Sequence, residues 1–177
     1  MRARPPWDDK LDNLVTVLSS RDESAGRALD LLTQQMRHLP RDADAFGLIH
    51  ADIHVGNYHL HDDEIWLYDF DNCVESWHAA DLATLWFFSL MRTSGSDLEI
   101  WQSASGPMLK AILDGYRQVR PLNEFWVAQL PLFRRHRALC LYAHKLLGRA
   151  GKSPSSSEQQ LSLLRCCAMQ REDGALL

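Results

Sequence analysis

GLIHADIHVGNYHLHDDEIWLYDFD, residues 47–71, places four His and six acidic residues among aromatic and aliphatic neighbours. The runs 58–61 and 65–68 are rich in β-formers and are separated by Asp62, Asp63 and Glu64. That spacing predicts an antiparallel hairpin with a three-residue loop. In this register His61 faces Ile65, His59 faces Leu67 and Asn57 faces Asp69, with paired Cβ atoms ~5 Å apart. Tyr58, Leu60, Trp66 and Tyr68 form the other, largely apolar face. The hairpin then brings Asn57 and Asp69 together at its open end, and Asp52 lies on the loop leading into that end. Two carboxylates and an amide oxygen converging there suit a hard cation such as Mg²⁺, which takes few protein ligands and leaves positions for water and phosphate. Such sites serve phosphoryl transfer, where positioning and charge neutralisation do most of the catalytic work.

The rest of the chain bounds what this segment can serve. Its 177 residues are 46% hydrophobic and 24% charged, the balance of a globular protein rather than a disordered one. A net charge of −4 offers no general attraction to nucleic acid, so nucleic acid is not an expected partner. Cys73, Cys140, Cys166 and Cys167 include no CxxC spacing, which predicts free thiols in a reducing cytoplasm. No signal peptide is visible in MRARPPWDDKLDN, and the apolar run near residues 82–91 is far short of a membrane span. The expectation is a cytoplasmic protein with no membrane association.

Around the central segment the period is helical. Leu11, Leu14, Val15 and Leu18 share one helical face, and Ala25, Leu29, Leu32 and Met36 share another. The stretch HAADLATLWFFSLMR after residue 77 predicts a strongly apolar helix with Asp81 near its start. Residues 97–118 and 122–148 supply further helices, with Leu130, Phe133, Leu139 and Leu146 in the core. Pro131 is expected to kink or interrupt the second of these. GKSPSSSE is a connector and EQQLSLLRCCAMQ a last helix. The predicted fold class is mainly α with a small central β-hairpin. It is organised as one domain over 1–177: helices in 1–40, the central loop and hairpin in 47–71, a helical part in 78–150, a linker at 151–157 and a terminal helix in 158–177.

HADIHVGN carries His50, Asp52 and Asn57 at the H-x-D-x-x-x-x-N spacing of protein-kinase catalytic loops, and YDFD supplies Asp69 after a hairpin, as the DFG motif does. With IWLYDFDNC and DLATLW, the sequence resembles the aminoglycoside phosphotransferase and choline kinase-like family more than the eukaryotic protein kinases. Ala51 matches the small residue that family places between His and Asp, and Asp71 its acidic replacement of the DFG glycine. The strong match runs from 47 to about 88. The resemblance implies a protein-kinase-like C-terminal lobe that transfers the γ-phosphate of ATP, with Mg²⁺, to a hydroxyl of a small molecule or protein. It implies that Asp52 is the catalytic residue and that Asn57 and Asp69 hold the metal. It also implies that Asp81 braces the catalytic loop. His50, His54 and Asp71 are candidates for substrate or supporting contacts. Aminoglycoside, choline, homoserine and protein serine are all acceptors within such families.

Upstream of Asp52 there is no glycine before Gly26 and no Gly-rich loop, and Lys10 sits in a helical pattern. A phosphate-covering loop, a strand Lys and its Glu partner are therefore missing. The chain reads as a kinase C-lobe without its N-lobe: a truncated gene product, a mis-called start, or half of a split enzyme. A separate N-lobe or self-association would cover the surface left open. One alternative is a non-catalytic lobe acting as a binding or assembly module. Another is a metal-dependent hydrolase using His50, Asp52, His54, Asp69 and Asp71, which leaves Asn57 without a role.

The same residues carry plainer readings. His50 fixes the loop more readily than it catalyses, and His59 and His61 belong on a solvated strand. Asp62, Asp63 and Glu64 have turn rather than calcium-loop spacing. Trp77, Trp86, Phe87 and Phe88 read as core. Trp101 and Trp126 read as core ahead of an acceptor pocket.

Overall fold

The computed structural model describes residues 4–9, 11–62, 64–148 and 158–169. Its helices are α1 (Leu11–Arg21), α2 (Glu23–Arg37), α3 (His78–Ser94), α4 (Leu98–Val119), α5 (Glu124–Gly148) and α6 (Glu158–Met169). Its strands are β1 (Phe46–Ile49), β2 (Tyr58–His61), β3 (Glu64–Leu67) and β4 (Val74–Trp77). The chain is mainly helical with small antiparallel sheets, an α+β arrangement. The linker at 151–157 and the terminal segment beyond Met169 lie outside the described residues. Among the described residues, those up to Trp7 together with those in Arg41–Leu130 form one compact unit, and those in Asp8–Pro40 with those from Pro131 onward form another.

In the first unit, β1 and β4 pair antiparallel from Phe46↔Trp77 to Ile49↔Val74. The ladder closes the base of the long excursion between them, which carries all of the quoted carboxylates from Asp52 to Asp71. The sequence reading expected one hairpin and missed this second pair, because each run is only four residues long and they are distant along the chain. Residues 5–7 lie alongside β4: Glu75 N–H donates to the Pro5 carbonyl and Trp7 N–H to the Glu75 carbonyl. Trp7 packs at 5.2 Å on Trp77, which also meets Phe46 edge-on. Trp77, Trp86 and Phe87 are essentially inaccessible, and each buried aromatic of this size contributes about 1.5–3 kcal/mol. Trp86 satisfies its indole N–H on the Ser105 carbonyl of α4 (3.1 Å), so the core aromatic is also the α3–α4 tie. Phe88 departs from the core expectation: it is half-buried and its ring meets that of His54 on the loop after β1.

The β2–β3 hairpin forms, but its register is one residue from that expected. His61 pairs with Glu64, Leu60 with Ile65, His59 with Trp66 and Tyr58 with Leu67. Glu64 therefore belongs to a strand, directly paired with His61, rather than to the loop. Asp62 takes φ 49°, the left-handed conformation that opens the primed turns matched to strand twist. One residue of slip exchanges faces. Tyr58, Leu60, Ile65 and Leu67 share one side, and Trp66 moves to the side of His59 and His61. Asn57 now lies opposite Tyr68, whose N–H donates to its carbonyl (3.1 Å), rather than opposite Asp69.

In the second unit α1 packs on α2, and Gly26 is what permits their approach. A Cβ there would lie 2.1 Å from the Ser19 hydroxyl and 2.6 Å from its Cα. Pro131 lies inside α5 without ending it, since α5 runs on to Gly148. Asp22 caps α2 by accepting the Ala25 N–H (3.1 Å) and also receives Arg165 Nε (2.5 Å) and the Tyr142 hydroxyl (3.1 Å). Arg165 above all, then the Ala25, Ser24 and Tyr142 donors, hold the Asp22 carboxyl well below the usual carboxylate range against the cost of its burial. A carboxyl depressed in the folded state stabilises above its unfolded pKa, and that contribution fades as the pH falls below the ordinary value of 3.8. Asp22→Ala is expected to cost about 1–2 kcal/mol at pH 7, from the lost cap and charged hydrogen bonds. Urea unfolding at pH 7 and pH 3 checks this: the difference from the native sequence shrinks at the lower pH.

Candidate functional site

The site begins where β1 ends. His50 N–H donates to Asp81 Oδ2 (2.9 Å) and Ala51 N–H to Oδ1 (2.7 Å), so each carboxylate oxygen of this α3 residue holds one amide of the loop. Ala51 sits at φ 64°, a left-handed conformation that costs an L-residue about 1 kcal/mol and has to be held. Burial raises the Asp81 carboxyl above its ordinary range, while the two N–H donors oppose that shift.

His50 is buried and both its ring nitrogens are committed. Nδ1 accepts the Asp52 N–H (3.3 Å), so the proton is on Nε2, which donates to the Tyr68 carbonyl (3.0 Å). The ring also lies 4.9 Å from that of Phe70. His50 thus stitches the loop to the strand end just before Asp69, and it has no lone pair left for a metal. That removes one ligand from the hydrolase set, and among the described residues no group of three or more His, Cys, Asp or Glu could hold a metal ion.

Asp52 Oδ2 is the meeting point of the loop. Asn57 Nδ2 lies 3.4 Å from it and 3.1 Å from the Asp52 carbonyl, and Asn72 Nδ2 donates to the same Oδ2 at 3.2 Å. His54 Nδ1 accepts the Gly56 N–H (2.9 Å), which leaves the neutral ring's proton on Nε2, 3.8 Å from Asp52 Oδ2. Glycine at 56 makes room for this, since a Cβ would stand 2.7 Å from the His54 ring. Asn72 was not among the residues singled out from the sequence. The 3₁₀ turn Phe70–Asn72 brings it back onto Asp52, and the only signal for it was its place at the end of DFDN.

Asn57 is buried, and with its amide nitrogen turned to Asp52 its Oδ1 accepts no hydrogen bond from the described residues. Asp69 follows Tyr68, the residue paired with Asn57, and is exposed at φ 62°. An unused amide oxygen and an exposed carboxylate one residue beyond it fit a hard cation completed by water and phosphate oxygens. Asp71 is exposed in the 3₁₀ turn and makes no side-chain hydrogen bond to the described residues. His59 and His61 are exposed on β2, with His61 against Asp62 at the tip (3.3 Å).

The sequence profile of the phosphotransferase enzyme family, APH, matches residues 2–122. The amicoumacin kinase of Bacillus subtilis (strain 168) is 24% identical over 140 residues, which is 78% of this chain and 41% of that protein. A solved amicoumacin kinase, in complex with AMP-PNP, Ca²⁺ and Ami, superposes with a TM-score of 0.73 at 26% identity. That match covers 94% of this chain and 49% of the other. A microcompartment-associated aminopropanol kinase gives a TM-score of 0.62 at 28% identity, covering 84% and 43%. The chain spans about half, or less, of the length of these relatives. No helix among the described residues is long and apolar enough to cross a membrane.

Proposed function

Because this chain belongs to the phosphotransferase enzyme family, we propose that it carries the phosphoryl-transfer centre of an ATP-dependent small-molecule kinase, with all of it acting as the kinase C-lobe. The observation that supports this most directly is the grip on Asp52: two side-chain amides meet its Oδ2, on a loop whose backbone Asp81 holds by both oxygens. In this reading the Asp52 carboxylate orients the acceptor hydroxyl and takes its proton. The hydroxyl oxygen bonds to the γ-phosphorus as the bridge to the β-phosphate breaks, and ADP leaves. Asn57 Oδ1 and the Asp69 carboxylate hold the Mg²⁺ that neutralises the phosphates. Asn57 thereby joins metal and base, one atom of its amide serving each.

The matches cover only 41–49% of these relatives, and we place the contacts to adenine and the outer phosphates in the part of the protein that corresponds to their remaining length. The hairpin supports a covering lobe, on the same or a separate polypeptide. Leu60, Ile65 and Trp66 are 63%, 68% and 59% exposed, and they lie on both faces of β2–β3. A non-catalytic lobe is the competing reading.

Calorimetric titration with AMP-PNP, with and without Mg²⁺, separates the two. Binding that requires Mg²⁺ and is weakened roughly tenfold or more by Asp69→Ala, the loss of a charged contact, supports the kinase. Absence of Mg²⁺-dependent binding, both by the chain alone and with an N-lobe supplied, rejects it.

A further inference from the structure

Beside the catalytic loop, Val55, Tyr58, Phe88, Ser89, Arg92 and Thr93 line a cleft of about 140 Å³. Four of these come from α3, where Ser89, Arg92 and Thr93 follow the i, i+3, i+4 spacing that puts side chains on one face. Phe88 precedes Arg92 by one turn and forms the apolar wall. Its ring lies 5.1 Å from that of His54, whose Nε2 faces the Asp52 carboxylate at 3.8 Å. The cleft therefore opens one side chain away from the centre of the proposed chemistry.

Its polar content is one-sided. Arg92 is exposed and forms no ion pair or hydrogen bond with the described residues, and the Ser89 and Thr93 hydroxyls make none either. No acidic side chain lines the cleft. A forked guanidinium flanked by two hydroxyl donors matches a carboxylate or phosphate. Val55, Phe88 and the Tyr58 ring supply the apolar walls that a short carbon skeleton needs.

We propose that this cleft is the acceptor subsite, and that Arg92 with Ser89 and Thr93 binds the anionic group of a small hydroxylated acceptor whose hydroxyl reaches Asp52. The assignment of the bound molecule as acceptor rests on the kinase reading; the anion site itself does not. Arg92 is then a specificity residue that selects against cationic amino alcohols.

Amide resonances of the whole chain, titrated without nucleotide or Mg²⁺, test this with four probes: glycerate, glycerol 3-phosphate, glycerol and ethanolamine. Saturable shifts at Ser89, Arg92 and Thr93 are expected with an anionic probe and not with glycerol or ethanolamine. A response to glycerate alone assigns the group as carboxylate, to glycerol 3-phosphate alone as phosphate, and to both as the shared anion chemistry. Arg92→Gln is expected to weaken binding roughly tenfold or more, as loss of a charged hydrogen bond does, while Arg92→Lys keeps part of it. Arg92 is exposed near the end of α3, so neither change threatens the fold. The proposal is overturned if neither anion shifts these residues, as when Arg92 only offsets the helix dipole. Equal binding by Arg92→Gln, or by the neutral or cationic probe, overturns it too. Anion binding here, with Mg²⁺-dependent AMP-PNP binding absent both from the chain alone and with an N-lobe supplied, leaves the anion site standing and sinks only the kinase reading.

Discussion

Asp52→Asn in the complete kinase is expected to lower kcat by about 10²–10⁴-fold, the usual contribution of a positioned general base, while KM and thermal stability change little. The geometry makes this substitution unusually clean. Asn57 and Asn72 both reach the same oxygen, Oδ2. An Asn whose amide oxygen takes that position keeps both hydrogen bonds, and only the proton-accepting charge is lost. Steady-state kinetics on Asp52→Asn, with Val119→Ala at the exposed end of α4 as the unaffected control, decide the matter. A kcat within tenfold of the parent would remove Asp52 from the chemistry.

The second large effect belongs to Asp81, which touches no reacting atom. Its two oxygens each accept one backbone N–H, from His50 and Ala51. Asp81→Asn keeps one acceptor and sets an amide NH₂ against the other donor. An N–H left unsatisfied there costs about 1–3 kcal/mol, and Asp81 is the partner that holds the amide of left-handed Ala51. The loop is expected to shift and kcat to fall by roughly 10–100-fold, the same cost expressed in the barrier. Stability responds differently. Burial raises the folded pKa of Asp81, so its contribution is fully present below the ordinary value of 3.8 and declines as the pH rises through the folded value. The parent should therefore gain stability relative to Asp81→Asn as the pH falls from neutral toward that value. Paired measurement of kcat and unfolding free energy across pH separates this positioning role from a simple loss of fold, which would lower both together at every pH. An Asp81→Asn variant with parental kcat would sink it.

Between them these two residues show how much of the site a linear reading can reach. Asp52, Asn57 and Asp69 stand at recognisable intervals because the chemistry proposed for them depends on a short loop and a hairpin, both of which announce themselves through turn residues and β-formers. Asp81 is similarly visible, near the start of an apolar helix. Asn72 is not. It reaches Asp52 through a 3₁₀ turn after a left-handed Asp69, and nothing about an Asn following DFD announces that reversal. The hairpin register was missed by one residue for a related reason. Asp62 can open a three-residue loop or a two-residue primed turn, and backbone twist rather than composition selects between them.

By itself, then, the sequence determined the helical periodicity, the presence of the hairpin and the groups proposed here for phosphoryl transfer, since these are read from local spacing and turn residues. Tertiary structure alone decided the β1–β4 ladder that closes the loop's base, the tautomer and double commitment of His50, and the turn of the Asn57 amide. It also decided the approach of α3, which sets Phe88 and Arg92 beside the loop. Each of these is a contact between distant parts of the chain. Short strands and single polar side chains carry too little local preference to specify such partners before the core around Trp77, Trp86 and Phe87 has formed.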